Sequence, residues 1–175
     1  MMFQNAAQQA CYEKIAGWVK EIYAGATTPA QDLPLFLLRQ GSTAAAIEVL
    51  PWGETEAIIS IWSYVVTDVE IKPDLLRYLL KLNDRAHFCG FSMDDDGDIR
   101  IHATLLGTSC DRANLSLAVK EVLDSGDRYD DEIVARWGGR RVIDHLGKLA
   151  LRKPFIPNFS QADFSPQNSR QNFDI

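Results

Sequence analysis

A run of aspartates broken by one glycine, Asp94-Asp95-Asp96-Gly97-Asp98, is the first place where this chain concentrates side chains capable of chemistry. Alternating oxygen ligands around a glycine at a sharp bend are what a calcium loop uses. With Gly97 set as that glycine, Ser92, Asp94 and Asp96 take the first, third and fifth loop positions. The twelfth position, which must supply a bidentate glutamate, falls on Ala103. The flanking residues alternate as strands do. The run therefore reads as a hairpin turn with solvated carboxylates, and no metal site is expected.

Other candidate groups are dispersed. Asp124, Asp127, Asp130, Asp131 and Glu132 crowd one stretch, but Arg128 and Arg136 stand four residues away from partners in it. That spacing makes ion pairs on a helix face, not a carboxylate dyad. His87, His102 and His145 are isolated. Cys11, Cys89 and Cys110 form no Cys-x-x-Cys pair and read as small buried thiols. Glycine-rich phosphate loops and nucleophile elbows are absent from the sequence. No catalytic residue, metal or cofactor is expected, and the chain does not read as an enzyme.

Charge narrows the partners. The net charge is -6, made of -8 over residues 1–146 and +2 over residues 147–175. An acidic body does not suit nucleic acid, whose phosphates need a clustered basic surface. Arg140-Arg141 is expected to serve a helix C-terminus. No signal peptide and no apolar run long enough to span a bilayer is visible, so a cytoplasmic protein without a membrane partner is expected.

The elements that would position any site follow from periodicity. Residues 6–24 predict a helix with Cys11, Ile15, Trp18 and Ile22 on one stripe, followed by a loop containing Pro29. Strands are expected at Leu35–Arg39, Ala44–Leu50 and Glu56–Asp68. In the last of these, Ile59, Ile61 and Val65 alternate with Ile58, Trp62, Tyr64 and Val66. Apolar residues on both faces imply a central strand or one covered by a partner. Trp62 and Tyr64 share a face, which makes them the candidate peptide or partner surface.

Pro73 opens a second helix with Leu75, Leu79, Leu82 and Ala86 in line. Leu76 and Leu80 widen that stripe and predict burial on more than one side. A three-residue loop Asp95-Asp96-Gly97 then sets a hairpin register, with Met93 opposite Ile99, Phe91 opposite Ile101 and Cys89 opposite Ala103 on the apolar face. Ser92 faces Arg100, Gly90 faces His102 and Phe88 faces Thr104 on the other. After an N-cap at Asp111, apolar positions from Leu115 to Trp137 keep phase through Gly126, so one long helix closely approached at Gly126 is expected. Residues 142–151 predict a short helix. Phe155, Phe159 and Phe164 are candidate anchors in an extended tail, 151–175.

Several of these segments together resemble a known family. Leu75-Leu-Arg-Tyr-Leu-Leu-Lys-Leu-Asn83, Gly90-Phe-Ser-Met-Asp-Asp-Asp-Gly-Asp98, Leu105-Leu-Gly107 and Asp127-Arg-Tyr-Asp-Asp-Glu-Ile133 look like the YbjN family, which shares the fold of the type III secretion chaperones. The match spans residues ~73–137 and is most similar to cyanobacterial members. The resemblance implies an α+β fold, a twisted antiparallel sheet of about five strands flanked by helices in the order α-β-β-β-α-β-β-α. It also implies a non-enzymatic role, a protein or peptide client held along the surface, and commonly a homodimer. A regulator sensing a small ligand is the alternative. The resulting expectation is a chaperone-like domain over 6–150 and a tail over 151–175.

Overall fold

The computed structural model describes residues 3–24, 27–29, 33–40 and 43–141. The elements run α1 (Ala6–Ile22), β1 (Thr27–Pro29), β2 (Leu35–Gln40), β3 (Thr43–Trp52), β4 (Glu56–Thr67), α2 (Pro73–Asn83), β5 (Gly90–Met93), β6 (Ile99–Leu106), α3 (Arg112–Trp137) and β7 (Arg140–Arg141). Among the described residues they build one antiparallel sheet in the order β1-β2-β3-β4-β6-β5, with β7 also on β4. The expected α+β order is present. Two short strands add to it: β1, where a loop was expected, and β7, where Arg140-Arg141 was expected to cap a helix. Proline suits β1 because that strand lies at the sheet edge.

One face of the sheet carries the core. Phe36, Ile47, Ile61 and Ala103 stand opposite one another across β2, β3, β4 and β6, and all are buried. Helix α1 lies over them, with Tyr12 stacked on Phe36 at 4.7 Å. Its N-cap Asn5 accepts from the Gln8 backbone N–H, and the Gln8 amide donates to the Val49 carbonyl. The buried stripe is Cys11, Ile15 and Val19. Trp18 and Ile22, expected on it, are only half-buried, because a stripe of four-residue steps drifts around the helix.

Helix α3 crosses the same face as one unbroken helix, its N-cap Asp111 accepting from the Asn114 N–H at 2.7 Å. At Gly126 a methyl group would lie 3.4 Å from Thr43 Cγ2 and 3.8 Å from Ser63 Oγ. The close approach expected there is therefore of helix to sheet. Helix α2 extends the layer beside β5. Leu75, Leu79 and Leu82 are buried, but Leu76 and Leu80 are exposed, so this helix buries one side only. Asn83 ends α2 and acts as a surrogate strand. Its Oδ1 accepts from the Phe91 N–H at 2.7 Å and its amide donates to the Phe91 carbonyl at 3.1 Å.

The β5–β6 hairpin has the expected register at Gly90↔His102, Phe91↔Ile101, Ser92↔Arg100 and Met93↔Ile99. Asp94 N–H bonds to the Asp98 carbonyl, and Gly97 has φ +83°, a conformation glycine adopts without strain. Pairing stops at Gly90, so the outer pairs expected for Cys89 and Phe88 do not form. A bulge in β4 between Tyr64 and Val66 puts Val66 opposite Ile99, on the core face rather than with Trp62 and Tyr64.

Candidate functional site

The helices occupy one side of the sheet, so chemistry open to a partner is sought on the other. Across that outer face, Leu37, Ala46, Trp62 and His102 form one cross-strand row, and Glu48, Ser60 and Thr104 form the next. The row logic follows from strand geometry: residues two apart share a face and paired residues on neighbouring strands stand side by side. Trp62 and Tyr64 pack edge to face with ring centroids 5.7 Å apart at 88°. The outer face also exposes large apolar side chains, with Leu37 at 50%, Trp52 at 47% and Leu106 at 46%. Single exposed apolar residues are ordinary; a face of them on one sheet is not.

Polar groups on this face are unusually deep. Glu48 is 3% exposed, and burial pushes its carboxyl up to about 7, the nearby Trp62 indole pulling slightly the other way. That pull comes from the Trp62 indole N–H directed at the carboxyl, although Glu48 Oε2 and Trp62 Nε1 do not meet in full hydrogen-bond geometry. Buried polar atoms in this state are costly, and each asks for an explanation. His102 Nδ1 lies 3.2 Å from Ser92 Oγ, and its pKa is lowered by burial and then by Arg100.

The acidic turn is structural rather than solvated throughout. Asp94 Oδ1 accepts from the N–H groups of Asp96 and Asp98, and Asp94 Oδ2 accepts from the Tyr64 hydroxyl at 3.1 Å. Asp98 is buried and accepts from the Asp68 N–H. Asp68, at φ 55°, in turn holds Arg140 through Oδ2 at 2.6 Å. Asp131 pairs with Arg141 and Glu132 with Arg136, whereas Asp124 pairs with Lys120 instead of Arg128. These contacts use the acidic cluster for ion pairing. Among the described residues, no group of three or more His, Cys, Asp or Glu is placed to hold a metal ion.

The thiols show no activation. Cys11 and Cys110 are buried and Cys89 half-buried, and burial raises the pKa of all three, which disfavours the nucleophilic thiolate. His87 is exposed, against Phe88. His145, the expected domain boundary near 150 and the tail anchors Phe155, Phe159 and Phe164 lie outside the described residues. No helix among those residues is long and apolar enough to cross a membrane.

Trp62 and Tyr64 thus stand together on the face where sequence alternation puts them. Leu37, Trp52, Leu106 and Glu48 join them without having been singled out. Leu35-Phe-Leu-Leu38 is apolar on both faces, a signal for Leu37; Glu48 in an otherwise apolar strand was the signal for the buried carboxyl.

Residues 20–145 match a family model described as T3SS (YopN, CesT) and YbjN peptide-binding chaperone 1. No curated protein sequence matches the chain. Among solved structures, a chain in the crystal structure of the ExsC–ExsE complex is similar at a TM-score of 0.54 and 15% identity, covering 73% of this chain and 96% of that one. A chain in the heterodimeric ExoU–SpcU complex from the type III secretion system of Pseudomonas aeruginosa is similar at a TM-score of 0.49 and 14% identity, covering 67% of this chain and 95% of that one. The first likeness shows the fold.

Proposed function

Because the chain belongs to the family of T3SS (YopN, CesT) and YbjN peptide-binding chaperones, we propose that it is a chaperone-like module that holds a peptide or protein segment on its outer sheet face. It acts in the cytoplasm and without catalysis. The observation that carries this reading is the apolar composition of a sheet face opposite the one that α1 and α3 cover: Leu37, Trp52 and Leu106 are exposed at separate points of the face that also carries Trp62 and Tyr64. The structural likeness to a chain of a two-protein complex is in keeping with it.

Mechanistically, an apolar side chain of the client would lie on this face and remove area from water on both partners. Complete burial of a leucine-sized side chain contributes about 1.5–3 kcal/mol, so two or three such anchors offset the cost of ordering an extended segment. Burial raises the Glu48 carboxyl to about 7, so near neutral pH the centre of the face carries a smaller charge than an ordinary carboxylate would place there.

An array of short peptides, graded from polar to apolar, tests this. The full chain should retain peptides with spaced apolar residues, and a Leu37→Ser/Leu106→Ser double variant should lose most of that retention. Leu80→Ser, an exposed leucine on α2, serves as the control and should change nothing. Equal loss from the control, or no apolar preference by the parent chain, would defeat the proposal.

A further inference from the structure

We propose that the exposed side of α2 docks an acidic, leucine-bearing helix of a partner protein. This surface belongs to the helix layer, is separate from the outer sheet face, and stands whether or not that face takes a client. It rests on which side chains α2 leaves uncovered. Leu75, Leu79 and Leu82 are buried, whereas Leu76 is 38% exposed and Leu80 is 67% exposed. The two leucines are four residues apart, so they lie on one line of the helix.

The next line is basic. Arg77 and Lys81 are again four residues apart, and Arg85 stands one turn further on, directly after the C-cap Asp84. All three are exposed. Among the described residues, none of the three side chains has an ion-pair or hydrogen-bond partner. By contrast Arg112, Arg136, Arg140 and Arg141 each hold a carboxylate. The carboxylates nearest in sequence are used elsewhere: Glu70 pairs with Lys72, and Asp74 accepts from the Trp137 indole N–H at 2.7 Å. Asp84 remains to offset one of the three cations.

Charge selects the occupant. Residues 72–85 carry four Lys/Arg against two Asp, which is +2, and the net charge of -6 leaves -8 for the rest of the chain. A helix laid along α2 at a shallow crossing angle sets its own apolar seam on Leu76 and Leu80 and its flanking positions beside Arg77, Lys81 and Arg85. Carboxylates at those flanks meet the cations that this chain leaves uncompensated. A second copy meeting through the same helix would bring these cations against their own equivalents, which is repulsive. An anionic membrane would attract α2 but repel the acidic remainder, and two leucines offer it little area to bury. The uncharged peptides of the array lack the carboxylates and are not expected to dock on α2.

The test titrates the full chain into a fluorescent three-heptad helix with leucine at a and d and glutamate at e and g, read by anisotropy. Binding is expected, weakening about tenfold as salt rises from about 0.05 to 0.5 M. Arg77→Glu/Lys81→Glu should lose about tenfold for this helix and gain as much for a counterpart with lysine at e and g. Leu80→Ser should weaken the parent's binding, separating a docked seam from charge alone. These side chains are exposed, and the exchange of preference between the two helices would not follow from misfolding. The inference is overturned if the charge reversal fails to exchange that preference, or if a glutamine version of the helix binds the parent as well as the glutamate one does. It is overturned equally if phosphatidylserine vesicles take up the chain while the glutamate helix does not, or if sedimentation shows a dimer that Leu80→Ser dissolves.

Discussion

The Tyr64 hydroxyl donates a hydrogen bond to Asp94 Oδ2 at 3.1 Å, tying the outer face of the central strand to the acidic turn thirty residues away. The other oxygen of the same carboxylate is held by the N–H groups of Asp96 and Asp98. Asp94 is thus the keystone of the turn. Asp94→Ala should destabilise the fold by about 2 kcal/mol, and Tyr64→Phe, which removes only one of the three bonds, by about 1 kcal/mol. Urea unfolding of both variants checks the order. Millimolar calcium should leave the parent melting curve unchanged, because the chain's own donors already use this carboxylate.

Glu48 predicts a stability that depends on pH. Its folded-state pKa, about 7 against an ordinary 4.5, is raised by burial. Between these values the folded state binds more protons than the unfolded one, so stability falls as pH rises from about 4.5 through 7 and stays lower above it. Glu48→Gln removes the penalty. It should match the parent at pH 4.5 and exceed it at pH 8 by about 1–3 kcal/mol. Equal stability of the two proteins at both pH values would show that the carboxyl is not desolvated.

Asn83 predicts local rather than global loss. Replacing it with alanine leaves the Phe91 N–H and carbonyl without the partners that its side chain supplies at 2.7 and 3.1 Å. Amide exchange at Phe91 should accelerate strongly while that of Ile61 in β4 is nearly unchanged. Asn83→Asp, which keeps the acceptor and loses the donor, should fall between.

Gly126 predicts a sign change with side-chain size. A methyl group there meets Thr43 Cγ2 at 3.4 Å, an ordinary contact, and alanine has a better helix propensity than glycine. Gly126→Ala should be neutral or stabilising by up to about 1 kcal/mol, and Gly126→Val should destabilise by about 1–3 kcal/mol through overpacking. Thermal melts separate the two. The neighbouring case is stricter: at Gly107 a Cβ would lie 2.7 Å from the Ala57 carbonyl oxygen, so Gly107→Ala should cost more than Gly126→Ala.

What the sequence made legible was whatever periodicity encodes. The Met93↔Ile99 register followed from polarity alternation and the glycine in the turn, and the unbroken α3 from an apolar phase that survives Gly126. The single-sided burial of α2 was not legible, because Leu76 and Leu80 have the same composition whether a neighbour covers them or not. The β4 bulge was hidden for a related reason: Val65 and Val66 are both apolar, so alternation could not show that Val66 changes face. On the candidate site, Trp62 and Tyr64 announced their shared face by spacing. Glu48 did not announce its depth, because its place between Leu35 and Ser60 depends on which strands pair with β3.

The pairing of β7 with β4 has a kinetic meaning. The Asp68–Arg140 contact joins positions 72 residues apart, so closing it carries a loop entropy that local turns and hairpins escape. Among the described residues, two residues of strand, a Thr67 hydroxyl bond to the Arg140 carbonyl and half-exposed ion pairs contribute to it, and such ion pairs weaken as salt screens them, whereas the apolar core does not. This joint is therefore expected to be more sensitive to salt than the core strands. Raising ionic strength should loosen the β7–β4 pairing well before it touches the core, so the strength of this seam is set by the solution around it.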